Sequence, residues 1–218
     1  MSLPQPSLSN DLRLGIFLIL GLLMAATRSH HFAVVPDASW AVFFVAGFYF
    51  SAAGAEKTAT PGGLSGRAAS LLAFALLMAL AVLTDFYVIR SQGIDFWSHY
   101  CVSPAYWFLV PSYAALWFGG AWLRAHRHGL QLRDLGLLVA SAVVAASACY
   151  LVSNGSFYWI SASVPARSFG GWIENLGDWY LPFVQTTLMY IGIAAALHVA
   201  TVVAAKALVG ASASRAAR

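Results

Sequence analysis

The chain has 218 residues, of which 60% are hydrophobic and only 9% carry a charged side chain. Soluble domains carry about 25% charged residues, so this composition predicts an integral membrane protein and excludes an ordinary soluble domain. The formal net charge of +4 needs no nucleic-acid partner to explain it.

Six apolar segments follow one another, each near the ~20 residues that a helix needs to cross a bilayer. They are the spans 12–27, 40–55, 68–89, 105–123, 135–152 and 181–209. None alternates between apolar and polar residues as a barrel strand does. The sequence therefore predicts an all-α integral membrane protein, in which residues 1–218 form a single domain, a bundle of six transmembrane helices.

The basic residues are distributed unevenly between the two sides of this bundle. With six spans both termini lie on one side, and that side carries nine of the 12 Lys and Arg residues. The other side carries Arg28, Arg90 and Arg167. Because basic loops stay in the cytoplasm, both termini are predicted to be cytoplasmic, in a bacterial cytoplasmic membrane.

Aromatic residues collect on the predicted outer side. They are Tyr87, Trp97, Tyr100, Tyr106, Trp107, Tyr158, Trp159, Trp172, Trp179 and Tyr180. Any membrane protein has interfacial belts of Trp and Tyr, but a belt should appear on both sides, and the inner side has little beyond Tyr49, Trp117 and Trp122. The asymmetry favours an outer-face binding pocket over a belt. The longest predicted connection, 153–180, holds seven aromatic residues and is predicted to be a lid.

One thiol, Cys101, lies where the third–fourth connection re-enters apolar sequence, close to Trp97, His99, Tyr100 and Tyr106. A free cysteine is most often a small buried hydrophobe. A position at a helix start would instead lower its pKa and favour the thiolate, a soft metal ligand. One thiolate with one imidazole does not make a zinc site, so a metal that arrives already chelated and needs one axial ligand suits this loop better.

Several residues in this order carry a resemblance to a known family. They are Asp85, Tyr100-Cys101, Asn154-Gly155-Ser156-Phe157-Tyr158-Trp159 and Leu181-Pro182-Phe183. With the six predicted spans, they resemble the cobalamin-specific BtuM family among the S-components of energy-coupling-factor vitamin transporters. The resemblance implies that the chain captures cobalamin or a related corrinoid from outside, with Cys101 as the cobalt ligand.

The resemblance also implies a site and partners. The substrate-binding residues would be Asp85, Tyr87, Trp97, His99, Tyr100, Tyr106, Asn154, Tyr158 and Trp159. Cys101 would be catalytic as well as a metal ligand, because sulfur donation to cobalt would ease removal of the opposite ligand, such as cyanide. The chain has no GxxxxGK loop, the motif that cradles nucleotide phosphates, so no nucleotide is expected to bind it. Uptake would use an energy-coupling module, a transmembrane partner with two ATPases, docking on the GxxxA pattern of Gly21 and Ala25.

Two other functions remain open from the residues alone. The first is a small membrane enzyme or redox protein that uses Cys101 and His99 on a lipid-soluble substrate such as a quinone. The second is an interaction subunit whose outer aromatic residues form only a belt.

Overall fold

The computed structural model describes residues 9–29, 36–51 and 65–216, and all regular structure in these ranges is helical. In chain order the helices are α1 (Asn10–Arg28), α2 (Ser39–Phe50), α3 (Gly66–Ser91), α4 (Leu109–His126), α5 (Leu132–Ile160) and α6 (Phe169–Ala216). Two short 3-10 helices, Phe96–Ser98 and Pro104–Phe108, lie between α3 and α4. The all-α prediction is confirmed for the described ranges.

Four of the described helices are long and apolar enough to cross a membrane: α1, α3, α5 and α6. This agrees with the multi-pass membrane protein predicted from composition. Helix α2 is apolar but has only 12 residues, about 18 Å at ~1.5 Å per residue, which is less than the ~30 Å hydrocarbon core. The predicted continuation of the second span through residues 52–55 lies outside the described residues.

Helix α2 is the centre of the bundle, since nine of its 12 residues are buried. It packs most closely on α4, and two glycines permit this approach. A Cβ atom at Gly47 would overlap the carbonyl oxygen of Trp117, and one at Gly120 would overlap that of Phe44. The two backbones therefore touch, as small residues allow between membrane helices.

Successive helices run in opposite directions, so the bundle has two ends with different chemistry. At the Cys101 end, Arg28 at the end of α1 bonds Asp85 near the end of α3 and Tyr113 in the first turns of α4. At the opposite, Arg127 end, Arg124 near the end of α4 donates hydrogen bonds to the last carbonyls of α2.

The connection predicted at 153–180 is far shorter than expected. Helix α5 continues to Ile160 and α6 begins at Phe169, which leaves only residues 161–168 between them. The prediction of a long lid is therefore wrong. Hydropathy marks only the apolar part of a helix, whereas both helices here continue into more polar sequence, where Asn154 Nδ2 donates to Asn175 Oδ1 at 2.7 Å.

Candidate functional site

A buried ion pair connects four helices at the Cys101 end. Nε and Nη2 of Arg28 donate to the two carboxylate oxygens of Asp85 at 2.6 and 2.7 Å. Nη1 donates to the Tyr113 hydroxyl at 2.9 Å, to Ser39 Oγ at 3.1 Å and to Asp37 Oδ2 at 3.3 Å. This two-bond guanidinium–carboxylate geometry is the strongest that an ion pair adopts.

The second carboxylate of this cluster, Asp37, also shapes the start of α2. Its Oδ1 accepts from the Ser39 amide at 2.8 Å and from the Ser39 hydroxyl at 2.6 Å. A buried charge is costly unless every polar atom is satisfied, and in this cluster two carboxylates surround one guanidinium. The pairing explains how these ionisable side chains are tolerated at the helix ends of an apolar bundle.

Tyr106 joins the Cys101 loop, residues 92–108, to this cluster. It belongs to the 3-10 helix Pro104–Phe108, and its hydroxyl donates to Asp85 Oδ2 at 2.7 Å. Burial and the neighbouring Asp85 charge raise the pKa of Tyr106, so the hydroxyl keeps its proton and remains a donor. Asp85, which was predicted to contact a ligand, accepts hydrogen bonds from both Arg28 and Tyr106.

Cys101 lies in a turn of this loop, with an exposed free thiol. Its backbone amide donates to His99 Nδ1 at 3.3 Å, and the His99 and Tyr100 rings lie 4.6 Å apart. Partial desolvation raises the pKa of the Cys101 thiol, although the neighbouring Tyr100 hydroxyl works in the opposite direction. The predicted lowering of this pKa is therefore wrong, because α4 begins only at Leu109, too far along the chain for its dipole to act.

An apolar pocket of about 340 Å³ lies between the Cys101 loop and α3. Its wall includes Trp97, Val102, Tyr106 and Trp107 from the Cys101 loop. Met78 and Val82 of α3 form part of the opposite wall. The volume falls in the range of small-molecule pockets. Two residues predicted for the site, Trp97 and Tyr106, are thus brought together.

Asn154, Tyr158 and Trp159 lie instead at the corner between α5 and α6. The Tyr158 hydroxyl donates to the Ser168 carbonyl at 3.1 Å and accepts from the Ser168 amide at 3.2 Å. Trp159 is 40% exposed and its ring contacts both Tyr158 and Trp172. Asn154 Oδ1 and Trp172 Nε1 are buried and have no hydrogen-bond partner within the described ranges.

The two groups of predicted residues lie on elements that pack against each other. The 3-10 helix Pro104–Phe108, which follows Cys101, packs against α5. Tyr87 does not join either group, since its side chain is 73% exposed on α3.

Arg28, Asp37 and Tyr113 belong to the site although they were not predicted to. A usable signal was present, because an acid inside an apolar span such as Asp85 requires a buried cation. Arg28 ends the first span and lies on the same predicted side, which made it a candidate partner.

The sequence matches no protein-family model and no curated protein. In the part of the chain that the structure describes, no three His, Cys, Asp or Glu side chains form a group able to hold a metal ion.

Proposed function

We propose that this chain is the substrate-binding membrane component of an uptake system for cobalamin or a related corrinoid. Six spans would cross a bacterial cytoplasmic membrane, the second being the predicted span 40–55 rather than α2 alone, with both termini inside and the Cys101 end outside. One observation carries the proposal: an exposed free thiol lies in a loop that a partly buried hydrogen bond, from Tyr106 to Asp85, links to the α1–α3 ion pair. A fixed thiol beside exposed aromatic rings is suited to a chelated metal with one open axial position.

The chemistry required of Cys101 is ligand exchange. Its raised pKa keeps the thiol protonated at neutral pH, so bonding to cobalt(III) releases one proton to water and displaces one axial ligand. The new sulfur ligand donates electron density and weakens the bond on the opposite face. Cyanide on that face would then leave as an anion, with both electrons of its bond and without a change in cobalt oxidation state.

The corner between α5 and α6 supplies the second set of contacts in this proposal. Trp159 offers flat apolar surface, and the corrin side chains carry amides that match Asn154 Oδ1 and Trp172 Nε1, two buried atoms that lack a partner in the described ranges. The packing of the Pro104–Phe108 helix on α5 supports one ligand contacting both the loop and the corner. His99 and Tyr100 would border the thiol.

Energy for uptake would come from a separate module, which we propose is a transmembrane partner with two ATPases. The GxxxA pattern of α1 is only partly available for docking, because Gly21 is buried and its Cβ position lies 3.3 Å from Leu80 in α3. The exposed face of α1, which carries Leu18 and Leu22, is therefore the surface we propose for the partner.

The test is a titration of the purified full chain with cyanocobalamin, followed by visible absorption. We expect a spectral shift in the parent protein that is absent in Cys101→Ser, since a protonated hydroxyl is a poor cobalt ligand. Cys149→Ala is the matched control, because this thiol is fully buried in α5, and it should keep the shift. Identical spectra for the parent and Cys101→Ser would rule out cobalt ligation by this residue.

A redox protein acting on a quinone is the second candidate, and the apolar 340 Å³ pocket beside Trp97 and Tyr106 favours it. An ultraviolet difference spectrum that shows binding of added quinone, with no response to cyanocobalamin, would support that function instead.

A further inference from the structure

His99 makes two hydrogen bonds that close the turn carrying Cys101. Its carbonyl oxygen accepts from the Val102 amide at 2.8 Å, which is the hydrogen-bond pattern of a β-turn with Tyr100 and Cys101 at the central positions. Inside that turn, His99 Nδ1 accepts from the Cys101 amide at 3.3 Å. The backbone on both sides of the thiol is therefore tied to His99.

Smaller residues make the inner bond of this pattern elsewhere in the Cys101 loop. Asp95 Oδ1 accepts from the Trp97 amide at 3.0 Å, and Ser103 Oγ accepts from the Ala105 amide at 3.3 Å. Asp, Asn and Ser are the residues that ordinarily bond an amide two positions further on. His99 makes the same bond with an imidazole. The turn requires only an acceptor here, so the acceptor and the ring can be separated by substitution.

The His99 ring also supports the residue beside the thiol. A neutral imidazole has one N–H group and one acceptor nitrogen, so a ring that accepts at Nδ1 carries its proton on Nε2. The same ring lies 4.6 Å from the Tyr100 ring, whose hydroxyl neighbours the Cys101 thiol. His99 therefore acts on Cys101 along two routes, through the backbone amide and through Tyr100.

The turn needs local support because it lies midway between two anchors of the loop. Phe96 is buried, and its ring lies 5.4 Å from that of Phe86 in α3. At the other end, Tyr106 bonds Asp85. Cys101 is five positions from each anchor and is itself exposed. Exposed side chains bury little apolar surface, so local hydrogen bonds must define the backbone there.

We propose that His99 is a positioning residue for Cys101, which acts by holding the Cys101 amide rather than by contacting a ligand. A thiol that is already held in one orientation loses less conformational freedom when it bonds to a metal centre, so its affinity is higher. The effect of His99 on cobalt rests on the proposed corrinoid function, whereas its hold on the Cys101 backbone does not.

Two substitutions separate the acceptor of His99 from its ring. His99→Asn keeps an acceptor that reaches an amide two positions further on but removes the ring. His99→Phe keeps a ring that can contact Tyr100 but has no acceptor. His99→Asn should therefore preserve the turn, whereas His99→Phe should release it. His126→Phe is the matched control, because it makes the same exchange at an exposed position of the Arg127 end.

Maleimide labelling of Cys101 in the full chain, at one pH and without ligand, measures the hold on the backbone. We expect the parent rate in His99→Asn and His126→Phe. In His99→Phe the rate should rise roughly two- to tenfold, the effect of one lost hydrogen bond. An unchanged rate in His99→Phe, or an equal rise in His99→Asn, would overturn the proposal. If His99→Phe does not fold in detergent, His99→Ala takes its place.

Titration of the same variants with cyanocobalamin, followed by visible absorption, measures the effect on cobalt. His99→Phe should require a roughly two- to tenfold higher ligand concentration for half of the spectral shift, and His99→Asn should match the parent. Weaker binding in both variants with unchanged labelling would make His99 a direct ligand contact and would overturn its positioning role. If the parent itself gives no shift, the corrinoid function fails, and the labelling rates still decide whether His99 holds the turn.

Discussion

The hydroxyl of Tyr106 donates a hydrogen bond to Asp85 Oδ2 over 2.7 Å, although 21 positions of sequence separate the two residues. Asp85 also holds the Arg28 guanidinium through both of its oxygens. The segment that follows Cys101 is therefore attached directly to the buried ion pair. The loop that carries the exposed thiol is thus linked to the charge cluster at one residue, Tyr106.

Replacing Tyr106 by Phe should remove this attachment with little change in shape. A hydrogen bond to a charged group contributes about 1.5–3 kcal/mol, so we expect a lower denaturation temperature in detergent. We also expect faster maleimide labelling of Cys101, because the loop would be less restrained. Tyr87→Phe is the control, since Tyr87 is exposed on α3, and it should leave both measurements unchanged. Unaltered labelling in Tyr106→Phe would show that the bond does not restrain the loop.

Asp85→Asn should be among the most destabilising single changes in the chain. It leaves the Arg28 guanidinium buried without its main counter-charge, which costs about 3–5 kcal/mol in comparable buried pairs. The matched control is Asp95→Asn, because the Arg90–Asp95 pair is exposed, at 55% for both side chains, and exposed pairs contribute about 0–1 kcal/mol. Denaturation temperatures of the two variants should differ clearly, and equal values would mean that the buried pair adds no stability.

Gly120→Ala should loosen the contact between α2 and α4. The new methyl group would overlap the Phe44 carbonyl oxygen, and overpacking of this kind costs about 1–3 kcal/mol. Gly15→Ala adds the same methyl group where nothing lies within 4 Å, and it should be neutral or stabilise α1 by about 0.5–1 kcal/mol. Thermal denaturation of both variants distinguishes packing from helix propensity. A stable Gly120→Ala protein would contradict the close backbone approach.

The labelling rate of Cys101 should rise steeply with pH. Partial desolvation raises its pKa, so the thiol is protonated at neutral pH and the reactive thiolate increases about tenfold per pH unit below the pKa. An ordinary cysteine levels off near its pKa of about 8.5, whereas Cys101 should still gain rate above that pH. Cys149 is fully buried and should stay unlabelled until the protein unfolds. A plateau below pH 8.5 would contradict the raised pKa.

Trp159→Ala tests the proposed contact between the α5–α6 corner and a corrinoid. Loss of a buried aromatic contact should weaken cyanocobalamin binding by about 1–3 kcal/mol, measured by spectral titration. Trp122→Ala is the control, because Trp122 has a similar exposure of 44% but lies at the Arg127 end. Tyr158→Ala is expected to weaken binding too, but it also breaks the bonds to Ser168. Unchanged affinity in Trp159→Ala would assign this ring to an interfacial belt.

Some residues of the candidate site could be predicted from the sequence, but the contacts between them could not. Asp85, Tyr106 and Cys101 could be predicted as residues of one region, since polar side chains beside an apolar span are conspicuous, and the structure joins Tyr106 to Asp85. Their relationship was not predicted, because Asp85 and Arg28 are 57 positions apart and nothing local specifies which helix ends meet. The lengths of α5 and α6 were also missed, since hydropathy does not record bonds such as that between Asn154 and Asn175.

The sequence by itself determined the all-helical architecture and the apolar character that agrees with a multi-pass membrane protein, because apolar runs and charge content are properties of neighbouring residues. Only the tertiary structure decided which residues meet: Arg28 with Asp85, Gly120 with Phe44, and Arg127 with His198. The physical reason is that a helix apolar on nearly every face, such as α2, does not specify its neighbours by periodicity. Close backbone contact and the pairing of buried charges select them instead.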